Sequence, residues 1–467
     1  MILLFCILPV PSAVPMKKIA LVYTLGGRYD EILPPLWALA LATYMRQAAP
    51  GIKVDILDEQ VLGAKRLAGL LARRYDLAGF SPVTQTYGNV LKFARVAKKN
   101  GSMVVFGGHY ASALKKEILA NRGPGSADYC LDAIVCYDGE KALHELARGT
   151  PFGGIKNLVY LTPGGQLAEN PVEIMDFSRL PPVDYTLLDL ERYFKIQERK
   201  MGKLGIGRTL SFIAQRGCKW AAGAGRCIFC GIQTMGGVRC IPPESAARQL
   251  SSLYRKYGVR HVYEAGDDYP ANPAWLREFS AAASRLKMPA LEVYAKATTL
   301  NPANAALLKA AGVKYVCVGV ESFSDDILRR LNKGASAAVS RRAVSVLLEA
   351  GLIPNTALIL GLPGETRETL SLTLSELKKI GLPPDCCQRT CLNIVAICPG
   401  TRLWQMLLEK EPKYRGQDLP DSHELRLDYL KHFCEAGEAD LEAALKVFSN
   451  YFAARAKAGR PGRGKAA

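Results

Sequence analysis

The feature that most constrains this chain is an alternation, run twice, of short and almost wholly apolar segments with helix-length stretches. KIALVYT, KVDILD, DLAGFS, SMVVFGG and DAIVCY are spaced through the first part, with helical stretches around Trp37 to Met45 and others ending at Arg74 and Ala97. A strand that is apolar at nearly every position needs cover on both faces, and helix-length connections permit parallel neighbours. Residues 16–150 are therefore read as a doubly wound, Rossmann-like α/β domain. A second series begins near Arg208 with TLSFIAQ, HVYEAG, LEVYAKA, YVCVGVES and TALILGLPGE, and Asn393 to Ile397 adds a further candidate strand. Repeated strand and helix units at this spacing fit a partial barrel over 206–400, with its chemistry at the carboxyl ends of the strands. Residues 151–205, with GG pairs and LPPVDY, read as a connector, and 401–467 as a short helical region ending in a basic tail.

The leading MILLFCILPVPSAVP is apolar but has no basic n-region and is too short to span a bilayer. Met16 followed by KKIALVYT reads as a natural start, so residues 1–15 are expected to be a start-site extension, with a weak signal peptide as the alternative. Hydrophobic residues make up 49% and charged residues 22%, which excludes a disordered chain. The net charge of +18 comes from 61 Lys and Arg scattered among acidic residues, with only Lys457 to Lys465 forming a basic run. Scattered charge serves solubility and argues against a nucleic-acid partner. Thirteen cysteines, an odd number at irregular spacing, argue against a secreted disulfide framework and for metal or redox use in a reducing compartment, the cytoplasm.

In a doubly wound sheet the ligand crevice lies beyond the carboxyl ends of the strands, here TLGGRYD, SPVTQT, GGHYAS and YDGE. Gly26, Ser81, Thr84, Gly107, Gly108, Gly139 and Glu140 are the candidate ligand contacts there. Glycine admits close backbone approach and hydroxyls supply neutral hydrogen bonds, although tight turns need glycine for steric reasons alone. No G-x-G-x-x-G opens the first helix, which disfavours a nicotinamide or flavin site.

QRGCKWAAGAGRCIFCGI follows the first strand of the second series and places Cys218, Cys227 and Cys230 in one loop, C-x8-C-x2-C. Thiolates select zinc, copper(I) or iron–sulfur clusters, and a structural zinc site would close with a fourth ligand that does not stand nearby. Three thiolates suit a [4Fe–4S] cubane with one iron open.

This loop resembles the cluster loop of radical S-adenosylmethionine enzymes, including the aromatic Phe229 between the last two cysteines. The family spacing is C-x3-C-x2-C; the longer loop is similar to those of cobalamin-dependent members. HVYEAGDDYP, LEVYAKATTL, LLKAAGVKYVCVGVESFSDDILRRLNKG and ALILGLPGET follow in family order. The resemblance implies S-adenosylmethionine contacts at Phe229, Gly266, Asp267, Asp268, Lys296, Glu321, Ile359 and Gly361. Helix capping by Asp267 and Asp268, a structural ion pair between Glu321 and Lys296, and simple turn roles for Gly361 and Gly364 are the competing readings. The implied chemistry is reductive cleavage of S-adenosylmethionine to a 5′-deoxyadenosyl radical, driven by an external one-electron reductant.

LPPLWALALATYMRQ, YDLAGFSPVTQT, VVFGGHYAS and DAIVCYDGEKAL resemble the cobalamin-binding domain that precedes the radical domain in one branch of that superfamily. The D-x-H-x-x-G that supplies a cobalt ligand in mutases is missing from TLGGRYDEI, and His109 is read as a pocket or surface residue. Cys386, Cys387, Cys391 and Cys398 suggest an auxiliary cluster, but the first two are adjacent, a poor geometry for two ligands. Cys130, Cys136 and Cys317 read as small core residues. The resemblance implies a cobalamin-dependent enzyme that methylates an unactivated carbon of a peptide or small metabolite, with no membrane partner. A cobalamin-binding cyclase or rearrangement enzyme, and a non-catalytic electron-transfer protein, are the alternatives.

Overall fold

Both apolar series form parallel sheets, as their patterning requires. The computed structural model describes residues 15–26, 32–201, 207–223, 225–232, 237–388, 391–420 and 422–458. The leading extension and the basic tail, apart from residue 15 and the few positions before 459, lie outside the described residues. The contacts divide the chain into two units, one of Met1–Met201 with Cys398–Gly400 and Pro412–Pro420, the other of the remainder.

The first unit holds strands β1 (Lys18–Tyr23), β2 (Lys53–Asp58), β3 (Leu77–Phe80), β4 (Met103–Phe106), β5 (Ala133–Val135), β6 (Leu158–Leu161) and β7 (Leu167–Glu169), in the order β2-β1-β3-β4-β5-β6-β7. The first five are mutually parallel, whereas β6 and β7 add antiparallel. Ile19, Ala20, Leu21 and Val22 are all buried, the signature of a strand covered on both faces. Helix Leu36–Ala48 buries Ala38, Leu39, Ala42, Thr43 and Met45, the three-and-four spacing of one helical face. The expected connector 151–205 carries regular structure over its described residues. Its short, turn-rich LVYL and LAE extend the sheet edge as a hairpin, and Leu190–Met201 is a helix. The segment Pro412–Pro420, expected within the helical C-terminal region, is anchored in this unit by Asp418. That carboxylate accepts from Tyr87 Oη at 2.7 Å and from Arg122 Nε at 2.6 Å.

The second unit contains β8 (Thr209–Phe212), β9 (Gln215–Arg216), β10 (Arg239–Cys240), β11 (His261–Glu264), β12 (Ala290–Lys296), β13 (Val313–Glu321), β14 (Ile353–Leu360) and β15 (Leu392–Ile394). Six of them form one all-parallel sheet, β8-β11-β12-β13-β14-β15, and β9 pairs antiparallel with β10. Leu210, Phe212, Val262, Leu291, Val293, Val316, Val318, Val320, Leu358 and Leu360 are all buried and alternate along the strands, so they form one apolar face. Helices Arg402–Lys410, Ser422–Phe433 and Glu438–Ala458 follow. Among the described residues, no helix is long and apolar enough to cross a membrane.

Candidate functional site

The three-cysteine loop is pinched at its base, where β9 and β10 place Gln215 opposite Cys240 and Arg216 opposite Arg239. Gly217 turns the chain with φ +104°, and a Cβ there would stand 2.2 Å from the Gly237 carbonyl oxygen, so only glycine fits. Cys218 precedes the short helix Lys219–Ala222. The residues that lengthen the loop are folded round Trp220, whose Nε1 donates to the Asn332 carbonyl at 2.9 Å. A Cβ on Gly225 or Gly334 would meet its ring at 2.5 Å. Ile228 N–H donates to the Leu331 carbonyl, and Leu403 N–H donates to the Ile228 carbonyl, each at 3.0 Å, which pins the loop on both sides. Cys218, Cys227 and Cys230 are all half-buried.

Two lysines stand beside these thiols. Lys296, at the end of β12, sits 3.9 Å over the Trp220 ring, and burial pushes its ammonium below the usual lysine range. Lys333 is buried and its Nζ lies 2.6 Å from Glu321 Oε1 and 5.9 Å from the Phe229 ring centre. Burial works to lower its pKa, but Glu321 and the nearby Cys227 hold it above the usual value. Burial raises the Cys227 thiol while Lys333 and Lys296 pull it down, and burial takes Cys230 up to about 11. Glu321 adopts φ +62° where the pairing with β14 slips, a bulge that aims its carboxylate at Lys333. A Cβ on Gly319 would come within 2.7 Å of Lys333 Nζ, so that glycine makes room for the pair. The competing reading of Glu321 as one half of an ion pair is thus met, but its partner is Lys333 and not Lys296. Lys333 escaped notice because it lies on the loop after the next helix; the run LNKG, a lone cation before a turn glycine, was the available signal.

Asp267 and Asp268 do not cap helices through their side chains. Asp267 Oδ2 accepts the Gly217 N–H at 2.8 Å and so fixes the start of the cysteine loop. Asp268 Oδ1 accepts from Lys296 N at 3.0 Å and Thr299 Oγ1 at 2.8 Å, joining the ends of β11 and β12. Gly266 leaves space for Glu264, which accepts from Ala214 N and Gly266 N and is pushed by burial to about 7. Gly361, with φ +85°, packs where a Cβ would stand 2.9 Å from Leu441, and its N–H donates to Glu365 Oε2 at 2.6 Å, a turn role. Ile359 is half-buried on the opposite face of β14 from Leu358 and Leu360.

That opposite face is the inner face of the curled sheet, and it is polar. By the pleat and the register it carries Ser211, Tyr263, Glu292, Tyr294, Lys296, Tyr315, Cys317, Asn355 and Ile359. Tyr294 is 44% exposed, in contrast to Val293 and Ala295 beside it. Cys317 is buried, as expected of a small core residue, and lies on this face by its place in the alternation. Its side chain hydrogen-bonds that of Cys391.

In the first unit the strand-end loops touch one another. A Cβ on Gly26 would stand 2.4 Å from the Gln85 carbonyl oxygen, and one on Gly108 would stand 2.5 Å from Ser81 Oγ. Gly26 therefore serves loop packing at the β1/β3 switch point and Gly108 the packing of the loops after β3 and β4, whereas a Cβ on Gly107 or Gly139 would find nothing closer than 3.5 Å. Thr84 hydrogen-bonds Cys398, Glu140 is buried at the start of helix Glu140–Ala147, and His109 is exposed. Cys130 and Cys136 are buried, as are Cys386 and Cys387 in the turn Pro384–Cys387.

Among the described residues, no group of three or more His, Cys, Asp and Glu side chains is arranged to hold a metal ion. The three loop thiols are thus not gathered round one ion, and a cubane, whose thiolates each bind a separate iron, suits wider spacing. Two ammoniums beside three thiols also suit a site whose ligands are anionic.

Residues 24–147 match the B12 binding domain family and residues 212–377 the radical SAM superfamily. The chain is a radical SAM enzyme that carries a B12-binding domain. It is 27% identical over 385 residues to an uncharacterized methyltransferase of Pyrococcus horikoshii, covering 80% of this chain and 78% of that one. An anaerobic magnesium-protoporphyrin IX monomethyl ester cyclase of Rubrivivax gelatinosus is 23% identical over 357 residues, and the match spans 73% of this chain and 61% of the cyclase. The fold is shared with the cobalamin-dependent S-adenosylmethionine radical enzyme OxsB, with TM-score 0.70 and 16% identity over 93% of this chain and 67% of that one. It is also shared with the radical S-adenosylmethionine methyltransferase TsrM of Kitasatospora setae, with TM-score 0.67 and 18% identity over 85% and 78%.

Proposed function

We propose that the protein methylates an unactivated carbon of a polar peptide or small metabolite in the cytoplasm, drawing electrons from an external one-electron reductant. The observation that carries this reading is the loop of Cys218, Cys227 and Cys230, set beside Lys296 and the Glu321–Lys333 pair, in a chain that also has a B12-binding domain. When bound, the cluster and S-adenosylmethionine supply a 5′-deoxyadenosyl radical, and cobalamin supplies a methyl carrier.

The three cysteines would hold the cluster. Lys296 and Lys333 offset the charge of its thiolates and offer ammoniums to a carboxylate. Glu321, already paired, offers its second oxygen to hydroxyls or an ammonium, with Phe229, Gly266, Ile359 and Gly361 shaping the surrounding walls. Asp267 and Asp268 act through the backbone, holding the loop and β12 in place. In the first domain, here taken as 16–150 with the β6–β7 edge, Gly107, Gly139, Ser81, Thr84 and Glu140 are the residues proposed to face cobalamin, while Gly26 and Gly108 keep the loops in register.

Methyl transfer by this route uses one S-adenosylmethionine for the radical and another for the methyl group. With substrate saturating, 5′-deoxyadenosine and S-adenosylhomocysteine should accumulate one for one. The cyclase relative supports ring formation as the second reading, and 5′-deoxyadenosine without matching S-adenosylhomocysteine would establish it in place of methyl transfer.

A further inference from the structure

The inner face of the second sheet carries a pair of thiols that the cluster does not use. Cys317, on β13, is buried, and Cys391, just before β15, is half-buried. Cys391 is held by its backbone, with its N–H donating to Asn355 Oδ1 at 3.2 Å and its carbonyl accepting from Leu358 N–H at 2.8 Å. Asn393 Nδ2 donates to its sulfur at 3.4 Å, and the Cys317 thiol donates to the same sulfur. Two donors on one sulfur favour the thiolate, and Cys391 is drawn down to about 7 with Cys317 raised as the donor.

The topology keeps this pair from becoming an ordinary disulfide. β14 lies between the two strands. At about 4.8 Å per strand, and with Cys391 aligned two residues further along than Cys317, the Cα atoms stand more than about 9 Å apart on a flat sheet, beyond the reach of a relaxed disulfide. The sulfurs meet by reaching toward each other across Asn355. Cys317 is also one pleat below Gly319, the residue against which the Glu321–Lys333 pair packs, on the same face as Lys296.

We propose that Cys391 and Cys317 form a hydrogen-atom donor on the inner face of the half-barrel, which quenches a carbon radical that has not been spent on substrate. This rests on the radical chemistry of the proposed function but not on methyl transfer. In the step, the 5′-deoxyadenosyl CH2 radical takes a hydrogen atom from the shared S–H, giving the CH3 of 5′-deoxyadenosine. The C–H bond forms as the S–H bond breaks, and the sulfur radical shares its unpaired electron with the neighbouring thiolate. One electron from the external reductant and one proton from water then restore the thiol and thiolate. Thiol hydrogens exchange with solvent, so the quench carries a solvent label.

The experiment uses the full chain reconstituted with iron, sulfide and cobalamin, supplied with S-adenosylmethionine and dithionite in D2O, with no substrate and no added thiol. The wild type should yield mostly monodeuterated 5′-deoxyadenosine. Cys317→Ser, which removes the sulfur that carries the shared hydrogen, should cut that fraction about five-fold or more at unchanged iron content, and Cys391→Ser should cut it less, because that thiol remains. A deuterated fraction that is low in the wild type, or unchanged in both variants and in the double variant, would overturn the proposal. A second measurement needs no turnover. Alkylation of Cys391 by iodoacetamide should rise with a midpoint near pH 7, moving up by about one unit or more in Cys317→Ser. A midpoint at the ordinary thiol value in the wild type sinks the thiol pair even if no 5′-deoxyadenosine forms, an outcome that would itself count against the radical reading.

Discussion

The two sheets are built from similar apolar runs yet solve different problems. In the first, β1 is buried on both faces, so only the strand ends and their loops are left to meet a ligand. In the second, Val316, Val318 and Val320 line one face while Tyr315, Cys317 and Gly319 line the other, so a whole sheet face is available for chemistry. The lesson is that the first unit leaves only strand-end loops, which Gly26 and Gly108 let pack closely against one another, whereas the second presents side chains that alternate with its core.

The sharpest way to break this comparison is to remove the cluster loop thiols. Cys218→Ala, Cys227→Ala and Cys230→Ala should each abolish the iron and sulfide content of the reconstituted protein while cobalamin loading persists. Loss of both on one substitution would show that the two sites are not independent in the way the two sheets suggest. Retention of the cluster in Cys218→Ala would mean that the long loop has another ligand.

Next in size is the buried ion pair. Lys333→Met strands the Glu321 carboxylate, and breaking such a pair costs about 3–5 kcal/mol. The variant should therefore unfold at markedly lower denaturant and lose S-adenosylmethionine cleavage. Lys296→Met removes only a cation over a ring, worth about 0.5–2 kcal/mol, so its loss should appear mainly in S-adenosylmethionine affinity. Equal destabilisation by the two would remove the distinction drawn between them.

A smaller effect is expected at the loop contact of the first sheet. Gly26→Ala drives a methyl group into the Gln85 carbonyl and should cost about 1–3 kcal/mol while lowering cobalamin loading. Gly139→Ala, whose Cβ would meet Leu41 and Val135 at ordinary contact distance, should leave stability nearly unchanged, and any loss of cobalamin there would be a direct effect on the ligand.

The smallest expected effect is a pH dependence. Burial raises the Glu365 carboxyl from 4.5 to about 7 while the Gly361 and Leu362 amides donate to it. Between those values the folded chain holds a proton that the unfolded chain has released. Its contribution to stability is therefore full below the unfolded value and is lost as pH rises through about 7. Glu365→Gln keeps an acceptor for both amides and should flatten this part of the curve, read from denaturant midpoints at about pH 5 and about pH 8. An unaltered slope would assign the dependence to the other carboxyls that burial raises, Glu264 to about 7 and Asp58 to about 6.

Much of this was legible in the chain. Strands β1 to β5 and the second series follow from apolar runs, because a residue buried on both sides of a sheet has no alternative but to be apolar. The cysteine loop was legible because three thiols at C-x8-C-x2-C have few other uses. The hairpin β6–β7 was not, since three- and four-residue strands at a sheet edge carry little periodic signal. Nor was Lys333, whose role depends on a bulge at Glu321 and on a turn closed by Trp220.

What the sequence alone determined is therefore the class of each layer and the presence of three thiols in one loop, both written in local periodicity and spacing. Only the tertiary structure decided which side chains meet: Lys333 and not Lys296 with Glu321, Asp268 with the backbone of Lys296, and Cys317 with Cys391 across an intervening strand. The physical reason is that pairing register and bulges set which residues share a face, and these depend on contacts between segments far apart in the chain, which no local pattern encodes.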